Sequence, residues 1–169
     1  MKASHKTITA IVCAGVLAAL VVAISFWAFT QIETAAAARK HAYDVLNLAD
    51  DWLSELRDAE TGQRGFALTG DEAFLEPYLA VKDAVVGHLQ DLRALTRIPS
   101  AQQRLDTITP LMTAKLAQMS SVIELRRRQD MSAVLVAVKS GEGRKLMDSI
   151  RAEMKGFVQI QEKIGRAHV

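Results

Sequence analysis

The chain has 169 residues, a length for one domain, with 50% hydrophobic and 24% charged residues and only three prolines, a balance that excludes a disordered chain. Its formal charge of +2 sits at the ends: without Lys2, Lys6 and Arg166, 18 basic residues face 19 acidic ones, so no polyanion partner is implied and nucleic acid is excluded. The single cysteine, Cys13, excludes an internal disulfide framework and a cysteine-based zinc site.

Residues 7–32 carry no charge. A bilayer span needs about 20 apolar residues, and Trp27 and Phe29 suit the interface at its end. Lys2 and Lys6 precede it, so the positive-inside rule predicts a cytoplasmic segment 1–6, a transmembrane helix 7–32 and an exterior region from Glu33. The small residues of "TAAAARK", Thr34–Lys40, offer a signal-peptidase site. A signal peptide's apolar region is only about 7–15 residues, however, and the alanines continue a helical register. An uncleaved anchor is therefore expected.

That register is Ala35, Ala38, Ala42, Val45, Ala49, Trp52, Leu56, Ala59, Gln63, Phe66. Steps alternating three and four make the seam of a left-handed helical bundle. A second seam follows: Phe74, Tyr78, Val81, Val85, His88, Leu92, Leu95. Between them Gly70 suits the C-terminal cap of the first helix, and Asp71 suits the N-cap of the second. A turn centred there pairs Leu56 with Val85 and Ala49 with Leu92, and sets His88 beside Trp52 and Leu53 as a desolvated core histidine. Pro77 predicts a local distortion. Pro99 ends the second helix, and Ser100 is a candidate cap for a third. This third helix carries Leu105, Met112, Leu116, Met119 and Ile123, with a kink expected at Pro110. "KSGEGRK", Lys139–Lys145, reads as the next turn, before a fourth helix with Leu146, Ile150, Phe157 and Ile160. The expected fold is all-α: an antiparallel four-helix bundle, preceded by one transmembrane helix.

"RDAETGQRGFALTGDEAF", Arg57–Phe74, places three glycines beside Glu60 and Arg64. Glu60 and Arg64 are one helical turn apart in the favourable acid-first order. Gly62 and Gly65 flank Gln63, where missing side chains let a neighbouring backbone approach. One reading is a tightly packed tip with a solvated charge pair; the other is a ligand or signalling site. "DAETGQRGFALTGDEAFLEPY" closely resembles the hallmark of the CHASE domain of type three, a bacterial sensory domain, and "KSGEGRKLMDSIR", Lys139–Arg151, is similar to that family's second signature. Glu60, Thr61, Gly62, Arg64, Gly65, Leu68, Thr69, Gly70, Leu75 and Tyr78 align with the first motif. The resemblance covers residues 33–163. It implies a four-helix periplasmic domain between two membrane spans, serving as an input module for histidine kinases, chemoreceptors or nucleotide cyclases. It assigns no ligand-contact residue.

Such receptors carry a second span and a cytoplasmic output domain, which the sequence does not include, so a fragment of a receptor is expected. "IGRAHV", residues 164–169, reads as a translated sequencing adapter and is expected to be a non-native tail.

Other motifs carry little chemistry. "SGEGRK" lacks phosphate-loop spacing. "RRRQD", Arg126–Asp130, reads as a solvated helix face. His5, His41, His88 and His168 show no metal-ligand spacing, and no base is placed for nucleophilic catalysis. Met112, Met119, Met131, Met147 and Met154 read as core filler. No catalytic, cofactor-binding or metal residue is expected.

The expected function is the extracytoplasmic input module of a receptor in the bacterial inner membrane. It would pass an unknown small-molecule or protein stimulus by displacing the first helix against the fourth, as a homodimer joined through the first helix. The alternative is a membrane-tethered helical adaptor or structural protein with no output domain.

Overall fold

The computed structural model describes residues 2–167, and among them the regular structure is helical, with no strand. The first helix, α1, runs without a break from Lys2 to Thr69, 68 residues, or about 100 Å at 1.5 Å per residue. Its most apolar 18-residue stretch has a mean hydropathy of 2.5 and is wholly unburied. By length and composition it suffices to cross a membrane.

Further along, α1 becomes a core helix. Val45, Ala49, Trp52, Leu56, Ala59, Gln63 and Phe66 are buried, as the seam predicts. At the seam's start Ala35 and Ala42 are half-buried and Ala38 is exposed. The core begins at Val45 because the antiparallel neighbour ends at Leu95, level with His41, whose Nε2 lies 3.1 Å from the Leu95 carbonyl.

Gly70 ends α1 as expected, with φ 77° and its N–H donating to the Phe66 carbonyl at 2.8 Å. Asp71 then accepts from the Ala73 N–H at 2.9 Å and opens a 3-10 turn, Glu72–Leu75. α2 follows over Glu76–Val81, with Pro77 in its first turn, where a missing N–H is tolerated. After a turn at residues 82–84, α3 spans Val85–Leu95. The expected single second helix is thus three pieces: the distortion near Pro77 is present, and a second break was not foreseen. These irregular turns rotate the apolar face. Leu75, Tyr78, Val81, Val85, Leu89, Leu92 and Thr96 face inward, correcting three expected seam positions. Phe74 and Leu95 are each 44% exposed, and His88 is half-buried. The pairing register itself holds. The Trp52 indole donates to the Val85 carbonyl at 2.9 Å, pinning the join between α2 and α3.

α4 spans Pro99–Arg127 and continues through Pro110; Ile98, in extended conformation, is its N-cap. Ser100 therefore lies inside the helix, since Pro99 already fits its first position. The third helix also ends earlier than expected. Gln129 adopts φ 61°, and Asp130 caps a separate helix α5, Met131–Lys139, by accepting from Ala133 N–H at 2.9 Å. "RRRQD" is therefore a helix end and turn rather than a solvated helix face. Gly141, at φ 70°, leads into α6, Glu142–Ala167. The backbone of residues 164–167 continues α6, while His168 and Val169 lie outside the described residues.

Four rods, with α2 and α3 forming the second, pack antiparallel around one core. α1 meets α2, α3, α4 and α6; α4 meets α3 and α6; α5 lies across α4 and α6 at one end. Met112, Met119, Met147 and Met154 are in the core, with Met131 partly exposed.

Candidate functional site

The three glycines resolve into a tip built by close approach. A Cβ on Gly62 would collide with the Phe74 carbonyl oxygen, and one on Gly65 with the Phe74 ring. Side chains at either position would push the 3-10 turn off α1. Thr69 ties the tip locally: its hydroxyl donates to the Gly65 carbonyl at 2.8 Å and accepts from the Asp71 N–H at 3.1 Å. Leu75 and Tyr78 are buried beneath it. Arg127, at the end of α4, grips Glu72 through two hydrogen bonds of 3.0 and 2.8 Å, which hold the Glu72 carboxyl below the ordinary glutamate range.

Glu60 and Arg64 do meet, at 2.9 Å, but they are not a solvated surface pair. The Glu60 side chain is only 7% exposed, because it stands beside the Ala59 and Gln63 seam and faces α4. There the Lys115 ammonium, 1% exposed, donates to Glu60 Oε1 at 2.7 Å and to the Gly143 carbonyl at 3.0 Å. One buried lysine thus joins α1, α4 and α6. Burial pushes the Lys115 pKa below the ordinary lysine value, against the opposing effect of its hydrogen bond to Glu60. Such a pair is tolerated only when its hydrogen bonds are made, and here both Lys115 contacts are direct.

The remaining motif residues face outward. Thr61 is exposed, its hydroxyl donating to the Arg57 carbonyl at 2.9 Å, and Leu68 is 79% exposed. The motif therefore divides into tip builders (Gly62, Gly65, Thr69, Gly70, Leu75, Tyr78), an ion-pair half (Glu60, Arg64) and two surface positions. Sequence reasoning missed Lys115 and Gly143. The spacing Ile108, Met112, Lys115, Met119, all buried, does mark Lys115 as a seam position.

A cavity of about 290 Å³ opens beside the pair, lined from all four of α1, α4, α5 and α6. Gly143 lies at its edge, where a Cβ would meet the movable amide end of the Gln118 side chain. His88 is not desolvated in the core as expected: its Nδ1 lies 2.9 Å from Glu55 Oε2 at the bundle surface. No cluster able to hold a metal occurs among the described residues.

The fold and site define a helical-bundle domain built on a long, apolar-ended first helix. The chain belongs to the CHASE3 domain family, whose model matches residues 35–166; CHASE3 domains are extracytoplasmic sensory domains, and this chain holds such a module. It is similar to the crystal structure of the Rhodopseudomonas palustris histidine kinase HK9 sensor domain, at 26% identity and a TM-score of 0.65, over 72% of this chain and 96% of that one. No curated protein matches the chain.

Proposed function

We propose that this chain is the input module of a bacterial inner-membrane receptor. Residues 7–32 of α1 cross the membrane, residues 1–6 lie in the cytoplasm, and the bundle from residue 33 stands in the periplasm. A stimulus displaces α1 against α6, and the displacement passes through the membrane spans to a cytoplasmic output domain, of the histidine-kinase type by likeness to the HK9 sensor domain. The receptor works as a dimer joined through α1. The observation that carries this reading is the continuity of α1 from its apolar end to Thr69: an unbroken helix transmits a shift of about 1–2 Å, the scale of such switches. A reporter fusion tests the orientation. Alkaline phosphatase joined after Gly70 is active in cells on this reading; an inactive fusion, with activity in a cytoplasmic reporter at the same site, refutes it.

A further inference from the structure

We propose that the cavity beside Lys115 is a receptor site for a small aliphatic dicarboxylate. Arg64, Lys115, Lys139 and Arg144 line it against one carboxylate, Glu60, an excess of three positive charges. The Glu60 charge is already engaged by Arg64 and Lys115. Lys139 and Arg144 take part in no ion pair among the described residues. Like charges gathered in a concave site repel one another and focus a positive potential that an anion relieves.

Size and wall chemistry narrow the class. About 290 Å³ is the small end of ligand pockets, which run from roughly 300 to 1,000 Å³. Ala137 and Val138 supply an apolar wall that suits a short methylene body better than a bare oxyanion. Gln118 Oε1 is buried there with no protein partner; it is an acceptor, so a water rather than the dianion itself satisfies it.

The cations come from four elements: Arg64 from α1, Lys115 from α4, Lys139 from α5 and Arg144 from α6. A bound dianion draws α5 and α6 together. It also competes with Glu60 for the Lys115 ammonium, which loosens the tether holding α1 to α4 and α6. This consequence rests on the sensory reading; binding itself does not, and a failed titration leaves the topology experiment unaffected.

Isothermal titration of the full chain in lipid nanodiscs tests the proposal, with succinate as probe. Succinate should bind saturably, and its uncharged analogue succinamide should not. The double variant Lys139→Ala/Arg144→Ala removes two exposed cations that support no core contact, so it should keep the wild-type melting temperature while weakening succinate at least about tenfold. Glu60→Gln, which frees Lys115 from its internal carboxylate, should tighten succinate instead. No saturable heat with succinate up to about 10 mM, or equal affinity in the double variant, overturns the site. Inorganic phosphate binding more tightly than succinate overturns the dicarboxylate assignment.

Discussion

Lys115→Met is the sharpest perturbation of this bundle. Methionine matches the lysine stem in length and stays in the buried slot between Met112 and Met119, so the loss is electrostatic rather than a cavity. It strands the Glu60 carboxylate, 7% exposed, and leaves the Gly143 carbonyl without its 3.0 Å donor. Removing one partner of a buried ion pair costs about 3–5 kcal/mol. Arg64 still holds Glu60 at 2.9 Å, so the lower end, about 3 kcal/mol, is expected. For a chain of this size that is a fall of about 6–12 °C in melting temperature, read by circular dichroism of the full chain in detergent. Glu60→Leu/Lys115→Met should recover most of the loss, because replacing a buried pair by packed apolar groups is often neutral. Arg64, 61% exposed, gives up only a solvated contact. A cost below about 1 kcal/mol for Lys115→Met, or a double variant worse than the single, would refute the claim that this pair is buried and coupled.

Further outcomes follow from the glycines and the tip. Gly62→Ala should destabilise by about 1–3 kcal/mol in a denaturant titration, since its Cβ meets the Phe74 carbonyl rather than a movable side-chain end. Gly87→Ala, in the first turn of α3 with open space around it, should stabilise by up to about 0.5–1 kcal/mol in the same assay. Glu72 is held below its ordinary value of 4.5 by Arg127, so its contribution is present above about pH 4.5 and is lost as pH falls through the lower folded value. NMR titration of the Glu72 carboxyl should show that lower midpoint, and Arg127→Ala should return it toward 4.5.

Much of the fold was legible because α1 obeys one uninterrupted alternation from Val45 to Phe66, and because Gly70 and Asp71 supply turn chemistry that few other residues could. The second rod was legible only as an average. Once the 3-10 turn and the break at residues 82–84 rotate the helix, a fixed alternation points to His88 when the buried residue is Leu89. α5 was hidden because "MSAVLVAVK" reads as more of the same apolar helix; the positive φ falls on Gln129, a residue type that does not announce a turn. At the site, the Glu60–Arg64 spacing was visible but its burial was not. Burial there depends on Lys115, 55 residues away, and a lysine on an apolar seam is ordinarily read as solvent-facing.

The account depends most on α1 being one rigid helix from the membrane to the bundle tip. Nitroxide labels on cysteines at Gln31 and Thr61, both exposed, in a Cys13→Ser chain diluted with excess unlabelled protein in nanodiscs so that distances within one chain dominate, measure this by pulsed electron–electron double resonance. A continuous helix predicts a single narrow distance near 45 Å, from about 1.5 Å per residue over the intervening turns. A broad distribution, or a peak below about 35 Å, would mean that α1 bends or breaks between membrane and core, and would contradict transmission along it.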